Sequence, residues 1–289
     1  LVYQLPQNDK IQYCKPRKRI RANSVAMLAD FSFADAPLSS LWAPATGSAA
    51  YVATVLALSW YMRVVRGGAG VEGPLMRLLQ AAHNLVLCLG SLAMLLGTLR
   101  ELARRGASEA PAGPLGRASF LFCERPDAVA VGPLYAWSYL YYLSKYYELL
   151  DTVLQLLKGR PPPHFFLHVY HHAVVLFMAW SWCAYCQSLQ WGGLLFNTAV
   201  HVLMYYYYFR TVLKLPTPWK RLVTQFQIVQ FGFSLLCFLV TAALLATGSA
   251  CAGTGALAFN LAFNVTLLLQ FFGVLGKNDA RSGGSKKRR

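Results

Sequence analysis

The 289-residue chain is 56% hydrophobic and only 13% charged, with a mean hydropathy of +0.39, whereas soluble domains carry about a quarter charged residues. This composition indicates a polytopic membrane protein and disfavours a soluble domain. A formal net charge of +16 would suit nucleic acid, but the Lys and Arg residues lie mainly at the ends of apolar runs and in the two tails. Cations in those places face phospholipid headgroups. We therefore expect membrane lipid as a partner and no nucleic acid.

Apolar runs long enough to cross a bilayer, which takes about 20 residues, recur along the chain. Prolines fall between these runs, as is typical of helix boundaries. We therefore expect an all-α polytopic membrane protein, with an N-terminal tail at 1–44, a transmembrane domain at 45–277 and a basic tail at 278–289. The pattern predicts seven transmembrane helices, at roughly residues 46–65, 75–99, 133–157, 164–186, 189–210, 219–247 and 255–276.

The charges of the connecting loops predict the orientation. The loops after the first, third and fifth runs carry Lys and Arg, whereas the loops "CQSLQ" and "TGSACAGTG" carry no charge. Positively charged loops stay in the cytosol, so the C-terminal tail is predicted to be cytosolic. Seven spans then place the N-terminus on the far side of the membrane.

The N-terminal segment conflicts with that orientation. Residues 10–21 ("KIQYCKPRKRIR") are strongly basic, and such segments resist translocation. We interpret residues 1–26 as a non-native extension and Met27 as the natural start. The alternative is a genuine basic arm followed by six spans rather than seven.

Four consecutive predicted helices each carry one polar stripe. Ionisable groups inside spans are costly and therefore indicate function, although an ion network that only joins helices is the alternative for the first stripe. The predicted topology places all four stripes in the cytosolic half of the bundle, around a polar chamber. At about 100° per residue, the residues that share a face are Lys145, Glu148, Asp151 and Thr152, then His168, His171 and His172, then Asn197, His201, Met204, Tyr205 and Tyr208, then Thr224, Gln227 and Gln230.

The H-x-x-H-H spacing in "FFLHVYHHAVVLFMAW" raises the question of a metal. Histidine-box oxidases build a di-iron centre from more histidines than the six of this chain. Four clustered imidazoles suffice for one zinc ion, but imidazole also acts as a base or a covalent nucleophile without any metal. We therefore expect no metal and no cofactor.

The motifs "KYYELLDT", "HVYHH", "NTAVHVLMYYYY" and "TQFQIVQ" follow one another in this order. Their order and spacing resemble the ELO family of fatty acid elongases, the very-long-chain 3-oxoacyl-CoA synthases, and "LLKGRPPPHFFLHVYHHAVV" looks most like plant and green-algal members. The resemblance covers about residues 45–277. It implies a seven-helix fold in which six helices form an inverted barrel around a closed-ended substrate tunnel.

The resemblance also implies a reaction, the condensation of a long-chain acyl-CoA with malonyl-CoA to give 3-oxoacyl-CoA, CO2 and CoA. One histidine of the box would carry the acyl group as an acyl-imidazole. By position this is His171, with His201 opposite it and His168 and His172 beside it. The Asn197 amide or a tyrosine hydroxyl would donate to the developing oxyanion.

Carboxylates next to the histidines predict supporting roles. Because carboxylates commonly orient imidazoles, we expect Glu148 and Asp151 to orient His168 or His172. Lys145 would either neutralise these carboxylates or meet CoA phosphates, and the sequence leaves both roles open. The supporting set is completed by Asn197, Tyr205, Tyr208, Gln227 and Gln230.

Two features outside the motifs predict the compartment. The chain ends in "KKRR", which matches the dilysine retrieval pattern of endoplasmic reticulum membrane proteins; a generic basic tail near anionic lipid is the alternative. Cys123 and Cys251 fall in predicted lumen-facing loops, where conditions are oxidising, and family members carry cysteines in similar loops, so a disulfide is expected. The resemblance further implies other enzymes of the elongation cycle as partners. Oligomeric state stays open, with a homo-oligomer among the alternatives.

Two other functions compete with condensation. A seven-span transporter or receptor should show polar faces in both leaflets, whereas the predicted stripes crowd into the cytosolic half. A histidine-box membrane oxidase would contain iron. Acyl chain length is left open, because it depends on which bulky residues of the sixth and seventh spans meet the end of the tunnel.

Overall fold

The computed structural model describes residues 30–109, 113–162 and 164–286, and the side chains among these except at 113–114 and 271–286. Within these ranges the regular secondary structure is helical, apart from one antiparallel bridge between Ser32 and Val131. The expected all-α class is therefore confirmed for the described chain. The interpretation of residues 1–26 and of Met27 lies outside the described residues, as do the last three residues of "KKRR".

Eight helices carry the fold of the described chain. A 3-10 turn at Phe33–Asp35 precedes them, and short helical turns at Gly113–Ala118 and Ser119–Phe122 follow the second. Their bounds are α1 Trp42–Val64, α2 Pro74–Ser108, α3 Pro133–Glu148, α4 Leu150–Leu157, α5 Phe165–Ala184, α6 Gln190–Val212, α7 Lys220–Ala246 and α8 Thr254–Lys286.

Each predicted apolar run coincides with helix, and the differences lie at the ends. Leu149 keeps helical dihedral angles (φ −59°, ψ −26°) between α3 and α4, so the two form nearly one rod. The helix α2 continues to Ser108 rather than ending at residue 99, because "LRELARR" is rich in strong helix formers. Hydropathy marks where a helix leaves apolar surroundings, not where its backbone hydrogen bonds stop.

Apolar surface on the outside of the described bundle fits a lipid environment. By length and apolarity, two of the described helices qualify as membrane spans, α2 and α7, and Thr254–Gln270 is a shorter apolar helix. Leu78 of α2 is 65% exposed and Leu239 of α7 is 63% exposed, and many leucines beside them are exposed as well. Soluble monomers rarely expose apolar patches of that extent. Fewer helices qualify than the seven predicted: α3, for example, has only 16 residues, and α5 carries three histidines and several aromatic side chains.

The main core lies among α3, α5 and α6. Tyr141, Tyr142, Trp182 and Trp191 are almost fully buried there. The helix α2 packs along α6 and also touches α3, where Gly97 lies directly against the Trp137 indole with no room for a Cβ. These contacts bring α2 into the same bundle as the polar stripes.

One end of the bundle is closed by three loops that bond to one another. Cys123 and Cys251 form a disulfide with a Cα–Cα distance of 4.8 Å. The neighbouring Glu124, 1% exposed, accepts hydrogen bonds of 2.6 Å from both terminal nitrogens of Arg105. Its backbone N–H donates to the Ser188 hydroxyl at 2.9 Å. The segments after α2, α5 and α7 therefore meet at this end.

Candidate active site

A cavity of about 760 Å³ runs through the bundle. Side chains from all four predicted polar stripes line it, and Lys145 lies behind them against Glu148. The structure therefore brings together residues that lie far apart in the sequence. The lining members of the stripes are Glu148, Asp151, His168, His171, His172, Asn197, His201, Met204, Tyr205, Tyr208, Thr224, Gln227 and Gln230.

A buried ion pair organises one side of the cavity. Lys145 Nζ donates to Glu148 Oε1 at 2.7 Å and to Asn197 Oδ1 at 3.1 Å, and the side chains of Lys145 and Glu148 are each 2% exposed. The Tyr141 hydroxyl also donates to Asn197 Oδ1, at 2.9 Å. Because the Asn197 carbonyl accepts both bonds, its amide N–H groups remain as donors toward a ligand. On the other side of the pair, Glu148 Oε1 lies 3.5 Å from His201 Nδ1.

A second carboxylate holds a histidine that the sequence leaves outside the cluster. Asp151 Oδ1 lies 2.8 Å from His83 Nε2, and Asp151 Oδ2 accepts a 2.7 Å hydrogen bond from the Tyr205 hydroxyl. His83 belongs to α2 and lines the cavity. The sequence separates it from the cluster by a span, but α2 packs along α6 and brings it to Asp151. Its signal was a polar pair, His83 and Asn84, inside a long apolar run.

These contacts correct the predicted roles of the two carboxylates. The sequence predicts that Glu148 and Asp151 orient His168 or His172. Glu148 instead contacts Lys145 and His201, and Asp151 contacts His83 and Tyr205. Spacing on α3 and α4 indicates which face the carboxylates share, whereas their partners depend on how the neighbouring helices are rotated.

The three imidazoles of "HVYHH" form a group of their own. The ring centroids of His168 and His172 lie 4.5 Å apart, those of His171 and His172 lie 5.3 Å apart, and His171 stacks on Phe263 at 5.9 Å and 19°. His168 Nε2 and His172 Nδ1 are buried without a hydrogen-bond partner among the described residues. All three side chains line the cavity, but these two ring nitrogens are covered by neighbouring protein atoms.

The remaining predicted residues form the wall between these groups. Tyr205 packs edge-on against His201, with ring centroids 5.3 Å apart, and against Tyr208, at 6.1 Å. Gln227 Nε2 lies 3.8 Å from Met204 Sδ. The described residues hold no group of three or more His, Cys, Asp and Glu side chains arranged to bind a metal. The expectation of no metal stays a prediction.

Cations surround one end of the cavity, and the far end is mainly apolar. Lys158, Arg160 and Lys220 line the first end, and His164 lies there as well. The charge of the loops predicts that these residues lie on the cytosolic side of the membrane, but the sequence alone does not assign them to the site. Leucine and aromatic side chains from α5 to α8 line most of the other end, together with a small hydrogen-bonded group of Ser234, Asn260 and Asn264. The imidazoles lie between the cationic mouth and this apolar stretch.

Comparison with known proteins identifies the family. The profile described as ELO, GNS1/SUR4 family, matches residues 36–286. The chain is 35% identical to Fatty acid elongase sre1 of Dictyostelium discoideum over 197 residues, which are 68% of each chain. It is 34% identical to Fatty acid elongase A of the same organism over 195 residues, 68% of this chain and 65% of the relative.

A third Dictyostelium discoideum protein named as a fatty acid elongase is 44% identical over 149 residues, 52% of this chain but 47% of its own length. The chain thus spans about half to two thirds of the length of these relatives. They come from Dictyostelium rather than from the plants and green algae that the wording of the histidine motif suggests. The matched range 36–286 contains all eight helices and all four motifs, and the chain therefore belongs to the ELO family, GNS1/SUR4 type.

Proposed function

We propose that the protein catalyses the condensing step of fatty acid elongation, in which a long-chain acyl-CoA and malonyl-CoA give 3-oxoacyl-CoA, CO2 and CoA. The observation that carries the proposal is a cavity with three zones, a cationic mouth, a group of imidazoles and a mainly apolar deep end. These zones match the phosphates, the thioester and the hydrocarbon chain of an acyl-CoA. The relatives named as fatty acid elongases support the same activity.

In the first half-reaction, a ring nitrogen of His171 attacks the thioester carbonyl. The bond between that carbon and nitrogen forms, the carbon–sulfur bond breaks, and the proton of the imidazole passes to the departing CoA thiolate. His201 lies across the cavity as the second imidazole for proton transfer. Apolar surroundings exclude water from the acyl-imidazole, which water would hydrolyse.

In the second half-reaction, malonyl-CoA loses CO2 and becomes an enolate. Its carbon attacks the acyl carbonyl, the bond to the His171 nitrogen breaks, and that nitrogen takes up one proton, passed from solvent through His201, as 3-oxoacyl-CoA leaves. Donors that face the developing oxyanion would lower the barrier. The free amide N–H groups of Asn197 suit this role, whereas the Tyr205 hydroxyl already donates to Asp151.

The membrane arrangement is part of the proposal. We infer seven spans, six of them forming an inverted barrel around the tunnel, with a cytosolic C-terminus, a lumenal N-terminus and residence in the endoplasmic reticulum membrane. Support comes from the two ends of the bundle, which differ in chemistry. The loops joined by the disulfide lie at one end, and cations line the mouth of the cavity at the other. Membrane lipid surrounds the protein, and the reductases and dehydratase of the elongation cycle are its functional partners.

The test supplies purified protein with acyl-CoAs of increasing chain length and malonyl-CoA labelled in the carbons that the product retains. Label is expected in 3-oxoacyl-CoA, with no dependence on added metal or cofactor. Absence of label at every chain length, while a characterised elongase works in parallel, would contradict the proposal. Two equivalents of bound iron would instead favour the oxidase. A permeation path is disfavoured because the charged side chains that line the cavity lie at its mouth and beside the imidazoles rather than along its whole length.

A further inference from the structure

Two residues on neighbouring helices form the cavity wall beyond the imidazoles, on the side that faces away from the mouth. Trp182 of α5 and Gly193 of α6 both line it. At 1.5 Å per residue, Trp182 lies about 16 Å along α5 from His171, and Gly193 lies about 12 Å along α6 from His201. An acyl chain attached at His171 would therefore have to pass them to reach the deep end.

Packing alone holds the Trp182 indole in place. The ring lies parallel to that of Tyr141, with centroids 5.1 Å apart and planes 6° apart. Its Nε1 atom is buried without a hydrogen-bond partner in the part of the chain that the structure describes. A Cβ at Gly193 would lie 2.9 Å from Cη2 and 3.0 Å from Cζ2 of the indole. The ring thus occupies the space that a side chain at position 193 would fill.

We propose that Trp182, seated against Gly193, sets the bore of the deep cavity and thereby the longest acyl chain that the enzyme accepts. This inference rests on the proposed condensation. The sequence leads us to expect length selection from the sixth and seventh predicted spans alone, whereas this contact lies between the fourth and the fifth. Interiors are close-packed, so a ring held against Tyr141 and Gly193 has free space only on the side of the cavity.

Gly193→Ala tests the proposal by displacing the ring. The added methyl group cannot coexist with the indole in its present position, and Tyr141 blocks movement through one face of the ring. The indole is expected to shift into the cavity that it lines. The acyl-CoA with the highest kcat/KM should then be shorter than for the wild type by at least one elongation unit, and the longest substrates should be lost.

A glycine on the outside of the bundle provides a matched control. Gly232 of α7 is exposed, lies outside the described lining of the cavity, and has no atom within 4 Å of an added Cβ. Gly232→Ala should therefore leave the chain-length profile unchanged. Trp182→Phe gives the opposite change, because the smaller ring retains an aromatic face for Tyr141 but frees space, and longer acyl-CoAs should become substrates.

The same series of acyl-CoAs is also measured as ligands, by the rise in Tm of each detergent-solubilised variant, since binding to the folded state raises stability without turnover. A wild-type chain-length profile in both Gly193→Ala and Trp182→Phe would overturn the inference. Length-dependent shifts in Tm without any condensation would support the inference and contradict the proposed function. If Gly193→Ala fails to fold, Trp182→Phe alone decides, and an unchanged upper limit on chain length overturns the inference.

Discussion

Asp151 joins two side chains that come from different helices. His83 of α2 and Tyr205 of α6 each contact one of its carboxylate oxygens, at 2.8 and 2.7 Å. A buried carboxylate that loses a hydrogen-bonding partner is destabilised, by about 1.5–3 kcal/mol for each bond to a charged group. Because Tyr205 also packs against His201, the position of His201 depends indirectly on His83.

We predict that His83→Ala lowers kcat for condensation by roughly 10- to 100-fold, the kinetic equivalent of one charge-assisted hydrogen bond. His83→Gln, which keeps an N–H donor for Asp151, should restore part of the rate. Both variants should retain the wild-type acyl-CoA KM within a few-fold. A His83→Ala enzyme with unchanged kcat would show that this histidine does not position the site.

The residues of the site were predictable from the sequence, but their pairing was not. Helical spacing places Glu148 and Asp151 on one face, and the structure puts both on the cavity. Which imidazole each carboxylate contacts depends on how α2 and α6 are rotated and on what they pack against. The spacing of residues along one helix does not reveal this. His83 was missed for that reason.

Among the helices and loops, the disulfide joins two loops that lie far apart in the sequence. Cys123 follows α2 and Cys251 precedes α8, 128 residues apart. The carboxylate of Glu124 and the hydroxyl of Ser188 add hydrogen bonds around the same point. Closing so long a loop restricts the unfolded chain strongly, and native disulfides typically contribute about 2–5 kcal/mol.

We therefore predict that the double variant Cys123→Ser with Cys251→Ser has a lower Tm than the wild type in detergent. Reductant should lower the Tm of the wild type toward that of the variant and leave the variant unchanged. Cys88→Ala, which alters a buried cysteine outside the disulfide, serves as the control and should still respond to reductant. Equal Tm values for wild type and double variant under oxidising conditions would contradict the stabilising role.

Helix positions were predictable because apolar runs and prolines mark them, and helix ends were less so. The extension of α2 to Ser108 and of α8 to Lys286 runs through polar sequence, where hydropathy gives no signal. The α8 extension crosses the predicted start of the basic tail at 278. Intrinsic helix propensity rather than apolarity accounts for the α2 extension.

For the whole molecule, the orientation in the membrane is the property that loop charge predicts. We predict that an N-x-S/T acceptor inserted after Glu109 becomes glycosylated in microsomes, whereas the same acceptor inserted after Gly67 does not. Glu109 follows α2 at the end closed by the disulfide, and Gly67 follows α1 at the opposite end. The measurement is the mass removed by an endoglycosidase. Glycosylation after Gly67 alone would reverse the proposed topology.

The cavity gives the molecule one axis, from cationic mouth to apolar end, with His171 between them. In the proposed reaction, loading and transfer of the acyl group are separate steps at this imidazole. Loss of a covalent nucleophile typically lowers the rate by on the order of 10³-fold or more. His171→Ala should lose condensation activity by at least that factor. It should still fold and bind acyl-CoA, but it should not become acylated.

The most direct measurement is a single turnover of preloaded enzyme. Purified protein is incubated with acyl-CoA alone, freed of unbound substrate, analysed by mass spectrometry and then given malonyl-CoA. We predict an acyl adduct on the peptide that contains His171, its loss on addition of malonyl-CoA, and an equal amount of 3-oxoacyl-CoA, with none of these in His171→Ala. Absence of both the adduct and the product in the wild type, or product formation by His171→Ala at the wild-type rate, would contradict it.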